Sequence, residues 1–578
     1  MKPAQDLVNS LHFGDYMVFA FYFVVVAAYG WWIYQRKKNV NATSNDYFLA
    51  EGSLTWWAIG TSLIASNISA EQFIGMSGSG FKMGLAISTY EWMAAATLVI
   101  VAVFFIPVYL KNKIYTMPQF LHQRYNGTVA MIMAVFWLFL YIVVNLLSIL
   151  YLGAIAIHGI APELSIGWCI ILLAVFSIII ALGGMKVIGY TDVIQVFFLI
   201  LGGLVASYVA LNLVNSPTEP SSVGGMFSGL KQVTTQASDH FHMIFHKDNK
   251  NYVDLPGLSV LLGGMWITNL NYWGCNQYIT QRALGADLKT ARSGILFAAF
   301  LKLLMPVIVV IPGIAAYVLY QRGMFHTADA AGMLTHNGIT DVNKAYPSLL
   351  NLLPTYMKGL AFAALTAAIV ASLAGKVNSI ATIFTLDIYK KAINPEASET
   401  KLVNLGKISV AVAMVMGVIL AYLVGEALMG EGKQGFNYIQ EYTGFFSPGI
   451  LAMFLLGFFW KKATSNAALF ATIGGFVMSI VLKFLPKFAD LSFLTPYGYY
   501  AKNYANAGAY EIPFFDRMGF VFIICAVGMY IISVIETRNG VKPKALEVDT
   551  KMFRVTPGFA IGSLVICGIL TALYTIFW

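Results

Sequence analysis

The sequence predicts an all-α polytopic membrane protein of about fourteen transmembrane helices, arranged as a five-plus-five inverted repeat with two discontinuous helices. Three observations carry that expectation. Of 578 residues, 58% are apolar and only 11% charged, less than half of the roughly 25% charge in a soluble domain. The apolar residues gather into fourteen stretches, each at least as long as the ~20 residues that a helix needs to cross a bilayer. Two of these stretches, five spans apart, carry dense polar runs in their middles. A soluble chain could not cover so much apolar surface, so a soluble enzyme, a disulfide scaffold and a disordered tail are excluded.

The spans read as 13–35, 54–80, 84–110, 128–157, 164–183, 188–214, 256–281, 293–320, 347–386, 402–425, 436–460, 464–485, 514–536 and 555–577. With the N-terminus outside, basic residues of the short loops fall on one side, which the positive-inside rule makes cytoplasmic. They are Arg36, Lys37 and Lys38, then Lys111, Lys113 and Arg124, Lys186, and Arg282, Lys289 and Arg292. Lys390, Lys391, Lys401 and Lys407 follow, then Lys461 and Lys462, and finally Arg538 to Arg554. A net charge of +9 therefore reflects loop sidedness rather than a nucleic-acid surface. Both termini are expected on the extracellular or periplasmic side of the cell membrane. The expected divisions are an N-terminal extra helix and loop (1–53), a first repeat (54–214), an outside loop (215–255), a second repeat (256–460) and C-terminal extra helices (461–578).

Other features read as bland. The opening residues lack the basic, apolar and small-residue order of a cleaved signal, so the first span is expected to be retained. Cys169, Cys275, Cys525 and Cys567 lie in apolar stretches with neither zinc nor disulfide spacing. His240 lies in a long outside loop, with His242 and His246 one helical turn apart. No nearby cysteine or catalytic acid completes a metal set, so a solvated loop is expected.

The chemistry lies in the two interrupted spans. The second has Ser66-Asn67-Ile68-Ser69-Ala70-Glu71-Gln72 in its interior, and the seventh has Asn269 through Gln277. Polar groups at membrane depth are costly unless they face a cavity or one another. Five spans is an odd number, so the two interrupted helices run in opposite directions, as in transporters whose broken helices meet near the midplane. Glu91 in STYEWM and Lys302 in FAAFLKLLMP are intramembrane charges; they either share a polar cavity or form a structural pair. Asp192 is as consistent with a structural or snorkelling role as with an ion pathway, and Lys376 is equally ambiguous.

The stretches IASNISAEQFIGMSGSG, STYEWM, TDVIQVFF, NYWGCNQYITQR, NSIATIFTLDIYKK and YIQEYTGFFSPGILAMFLLGFFWKK resemble bacterial sodium/galactose cotransporters, in the SGLT-type branch of the sodium:solute symporter family. The resemblance runs in order over nearly the whole chain. It implies that sugar hydroxyls are bound by Asn67, Gln72, Glu91, Asn269, Lys302 and Gln440. Tyr272 would be an inner gate stacked on the sugar, steadied by Asn67 and flanked by Trp273, and Met76, Tyr90 and Phe436 an outer gate. Sodium would be held by the carbonyls of Ala65, Ile68 and Ala368 and the hydroxyl of Ser372, with Asp192 on its exit route. Three positions depart from the family pattern. Ala94 replaces a serine, Asn271 an aromatic, and Ala371 the first of two adjacent serines at the sodium site.

The expected function is sodium-coupled import of a hexose, galactose or glucose, by alternating access. The alternatives are another polyol such as myo-inositol, or a passive channel or solute sensor on the same fold. An enzyme is not expected, since no metal-ligand or nucleophile–base set lies in the spans. Sodium is the coupling ion and no other cofactor is expected. The expected partners are the lipid bilayer, sodium and the sugar, with neither nucleic acid nor an obligatory protein.

Overall fold

The computed structural model describes residues 11–36, 47–48, 54–326, 332–430, 433, 435–497 and 511–578; Lys37 and Lys38 lie outside them. The described residues are helical throughout, apart from turns, loops and one isolated bridge between Leu334 and Thr340. Among the described residues ten helices are long and apolar enough to cross a membrane, or eleven if one bent pair is a single span. The expected spans outside the ten are short or broken. These are Trp56–Asn67, Ile166–Ala181, the interrupted seventh, and the bent pair Gly435–Gly444 and Ser447–Phe459. Helix length alone therefore does not fix fourteen crossings.

Local sequence explains the breaks. The Trp56–Asn67 helix stops where Ile68 turns extended, at φ −77° and ψ 121°. Ser69-Ala70-Glu71-Gln72 then forms a capping box: the Ser69 N–H donates to Gln72 Oε1 (2.9 Å), and the Glu71 N–H reaches Ser69 Oγ (3.2 Å). The chain resumes as a π-helical turn, Glu71–Met76, and continues as Ser77–Met83. The seventh span runs through Met265–Cys275, breaks at the extended Asn276, and restarts as Gln277–Leu284. A third interruption was not expected: the 436–460 span bends by 45° between Gly444 and Ser447. Pro448 stands in the first turn of its second half, where a missing N–H costs nothing.

Two further expectations are corrected. The ninth span begins at Met357, not 347, because Pro354 and the left-handed Tyr356 (φ 70°) separate it from the short Ala345–Asn351 helix. The 215–255 segment is not simply solvated. It contains the helix Val223–Gln236, and His240 is buried, its Nε2–H donating to the Phe81 carbonyl at 3.1 Å. Gly84, at φ +74°, packs against the His240 backbone, where a Cβ would meet the carbonyl oxygen at 2.2 Å. No group of three metal-ligating side chains exists among the described residues.

The chain forms two compact units, each drawn from several stretches of sequence. The first takes Met1–Ser88, Leu138–His242 and Phe300–Ile439. Its centre is the Met357–Thr382 helix, buried along almost its whole length. Gly202 of Gly184–Asn215 lets the two backbones close, since a Cβ there would lie 2.5 Å from Ala364 Cβ. The second unit takes Thr89–Trp137, Met243–Ala299 and Gln440–Trp578. In it, the buried Arg124 guanidinium donates to the carbonyls of Gly457 (2.7 Å), Trp460 (2.9 Å) and Ala463 (3.0 Å), closing the end of Ser447–Phe459.

In the first unit, Asp15 of Phe13–Arg36 caps the ninth span. Its Oδ1 accepts the N–H groups of Tyr356 (2.7 Å) and Gly359 (2.9 Å), placing an anion at a helix N-terminus. Asp15→Ala is expected to cost about 1–2 kcal/mol, read as a lower unfolding midpoint in detergent, whereas Asp15→Asn retains part of the cap.

Candidate functional site

In the first unit the site grows from the break after Asn67. The Asn67 carboxamide oxygen accepts a hydrogen bond from the ammonium of Lys302. Lys302 is 1% exposed on the Leu288–Gln321 helix, so this contact offsets the cost of a charge at membrane depth. Gln72, expected as a sugar ligand, spends its carboxamide oxygen on the capping box, also accepting the Ser69 hydroxyl at 3.2 Å. Its NH2 is the end left for a ligand. Glu71 accepts the Ser148 hydroxyl at 2.8 Å, fastening the π-helical turn to the Leu147–Ile160 helix. Met76 is buried at the end of that turn, and Gly75 beside it packs on Phe436, with a Cβ-to-Cβ approach of 2.8 Å if a side chain were present.

A buried polar file runs from the ninth span through this break to the Gly184–Asn215 helix. The Lys376 ammonium donates to Ser372 Oγ (3.1 Å), which donates to the Ser66 carbonyl (3.2 Å). Ser66 Oγ donates to the Ser62 carbonyl (2.7 Å), and Ser62 Oγ donates to the Asp192 carboxylate (2.5 Å). Asp192 is 0% exposed, which rules out the snorkelling alternative. Ser62 and Ser66 were not singled out from sequence; their signal is the four-residue spacing that puts both hydroxyls on one helix face.

The same region supplies oxygens suited to a hard cation. The Ser69 N–H, which would close the ladder on the Ala65 carbonyl, has turned to Gln72 instead. Ser372 lies against the break, and Ala368 stands one turn before it on the same helix. Ala371 contributes only a methyl. The donor set fits sodium, with one qualification of charge: the Lys376 ammonium already occupies a lone pair of Ser372.

In the second unit the Tyr272 ring packs edge-on against Trp273 (5.1 Å between centroids) and Tyr278 (5.7 Å). Tyr272 is half-buried and Trp273 buried. Asn269, one turn before Trp273, is buried, and its amide nitrogen has no hydrogen-bond partner among the described residues. An orphaned buried donor is costly unless a ligand or water satisfies it. Glu91 is buried in the first turn of Thr89–Ile100, and the neighbouring Tyr90 ring lies 5.7 Å from Phe515. Gln440 is half-buried in the bent span.

Other polar groups of the seventh span are structural. The Gly274 carbonyl accepts the Tyr109 hydroxyl (2.7 Å), and Gln277 Oε1 accepts the Met117 N–H (2.7 Å). Asn271 donates to the Ser447 hydroxyl at 3.0 Å, tying the seventh span to the bent one. That bond gives this departure from the family pattern a packing reason.

A sequence profile of the sodium:solute symporter family matches residues 47–475. The chain belongs to the sodium:solute symporter family. It is 43% identical to a sodium/glucose cotransporter of Vibrio parahaemolyticus, over 99% of this chain and all of that one. It is 32% identical to a sodium/myo-inositol cotransporter 2 of Oryctolagus cuniculus, over 84% of this chain and 72% of that one. The fold is shared with a Na+-coupled sialic acid symporter in a substrate-bound outward-open state, at a TM-score of 0.72 and 22% identity over 93% of this chain and 100% of that one. Family membership makes the protein a multi-pass symporter and not an enzyme.

The Lys302–Asn67 contact makes an asymmetric prediction. Asn67→Ala strips an acceptor from a buried ammonium and is expected to cost about 1–3 kcal/mol. Lys302→Met removes the charge itself and is expected to unfold closer to the parent. Thermal unfolding of both variants in detergent measures the difference.

Proposed function

We propose that the protein imports a hexose, galactose or glucose, together with sodium by alternating access. The carrying observation is the 43% identity to a sodium/glucose cotransporter along nearly the full length of both chains. The chemistry of the candidate residues supports it. The amides of Asn67, Gln72, Asn269 and Gln440, the carboxylate of Glu91 and the ammonium of Lys302 match the mixed donors and acceptors of a polyol. The Tyr272 ring would cover the apolar C–H face of the sugar. No bond is made or broken, so the site needs no cofactor. Downhill sodium entry supplies work, about 2.3 kcal/mol per charge per 100 mV before the concentration term. Sodium among the carbonyls of Ala65, Ile68 and Ala368 and the Ser372 hydroxyl would join the second and ninth spans and preform the sugar site, a coupling between two ligands through shared global states. Asp192, at the far end of the polar file, would receive the ion on its way out. Met76, Tyr90 and Phe436 would close the site outwardly, and Tyr272 with Trp273 inwardly.

A second substrate reading, myo-inositol, draws on the 32% identity to a sodium/myo-inositol cotransporter. In the topology that goes with import, both termini and the 215–255 loop face outwards and the 537–554 loop inwards.

Uptake of labelled galactose, glucose and myo-inositol into proteoliposomes, with and without a sodium gradient, tests the reading. Sodium-driven accumulation of a hexose is expected; uptake of every sugar that ignores sodium would overturn it and favour a passive channel. Gln72→Ala, Glu91→Ala and Gln440→Ala are each expected to reduce uptake roughly tenfold or more, since each leaves sugar hydroxyls unpaired at about 1–3 kcal/mol. Normal uptake by all three at normal expression would mean that the sugar lies elsewhere. Ser372→Ala is expected to nearly eliminate sodium-driven uptake, and Ala371→Ser to tighten the apparent sodium affinity by adding an oxygen.

A further inference from the structure

Lys376 is a buried lysine that the sugar chemistry does not use. It is 1% exposed, on a long helix of the first unit that is buried along almost its whole length, and its Nζ lies 3.1 Å from Ser372 Oγ. The four-residue spacing stacks the two side chains on one face of Met357–Thr382. Ser372 in turn donates to the carbonyl of Ser66 at the break in the second span. A serine hydroxyl has one proton and two lone pairs. Its proton is committed to Ser66 and one lone pair to Lys376, so a single lone pair remains.

We propose that Lys376 is a tethered cation competing with sodium for Ser372. This rests on the sodium-coupled reading given above. An ammonium only donates, so it must face oxygens, and one oxygen it faces, Ser372 Oγ, belongs to the candidate sodium site. Sodium on the same hydroxyl would sit beside a fixed positive charge in a poorly screened interior, where like charges repel far more strongly than in water. Sodium therefore binds as the ammonium leaves. The four-carbon stem of lysine has the rotational freedom for that movement. The buried acid on the same polar file is Asp192, reached through Ser66 and Ser62.

Ala371 acts in the same direction, since a methyl replaces an oxygen one residue from Ser372. Together they make a sodium site that already holds a fixed positive charge and lacks one oxygen, while the neutral Ser372 hydroxyl joins the ninth span to the second at Ser66. The consequence is a sodium affinity lower than the carbonyl and hydroxyl ligands alone would give.

The test is equilibrium binding of radiolabelled sodium to the purified full-length protein, compared with Lys376→Met, Lys376→Gln and Lys376→Arg. Intact folding of each is checked by thermal unfolding, and the Gln variant serves if the Met variant does not fold. Removing the charge is expected to tighten sodium binding by about tenfold or more, and Lys376→Arg, which keeps it, is expected not to. Unchanged sodium affinity in both neutral variants, or an equal shift in the Arg variant, would overturn the inference while leaving sodium-driven uptake intact. If no form binds sodium, and uptake by the parent ignores it, the sodium-coupled reading falls and takes this inference with it. If only the neutral variants bind sodium, the competition stands and coupling in the parent is what fails.

Discussion

Everything in this molecule follows from one constraint: a backbone group inside a membrane must find its partner within the protein. A continuous helix meets that demand automatically, so a helix that breaks must replace each lost bond. The second span does so partly with its own side chains, as the Ser69–Gln72 capping box restarts the helix, and partly with the ninth span's Ser372, which takes up the Ser66 carbonyl. The seventh borrows the Tyr109 hydroxyl for its Gly274 carbonyl and in return offers Gln277 Oε1 to the Met117 N–H. The first arrangement leaves oxygens beside a gap. The second closes the backbone and leaves side chains such as Asn269 to face whatever binds.

Buried charge obeys the same rule. Lys302, Lys376 and Asp192 lie in the first unit, each nearly or fully inaccessible, and each touches an oxygen or hydroxyl from a different helix or a different turn. These contacts hold the broken helix in register with its surroundings. Removing one partner leaves the other stranded, whereas a matched apolar pair would be tolerated. The polar file is therefore a structural element as well as a candidate ion path.

Much of this was legible in sequence, for local reasons. Polar runs in apolar stretches marked both broken spans, and Ser69-x-x-Gln72 is a short-range signature. The bend before Pro448 was also written there, in FFSPG, but it lies in a strongly apolar stretch that reads as one span. The ninth span was drawn too long because Pro354 and Tyr356 sit within an apolar run whose hydropathy hides the turn. What sequence could not give was pairing over distance. His240 reads as a loop histidine until the Phe81 carbonyl appears beside it, and nothing in the sequence says that Gln72 also spends its carboxamide oxygen on Ser69. The spacing of Ser372 and Lys376 was visible, but not that the ammonium points to the serine.

The π-helical turn at Glu71–Met76 has a consequence for how such a protein changes over time. A π turn carries about one residue more per turn than an α-helix, as a single insertion into an existing helix would leave it. Losing that residue would restore α-helical spacing and rotate everything beyond it by roughly 100° about the axis. Met76 and the Ser77–Met83 segment would then present a different face to Phe436 and Val342, where Gly75 and Gly78 now allow close approach. Single-residue deletions, usually the harshest of mutations in a helix, become here a short path to a differently shaped cavity on an unchanged scaffold.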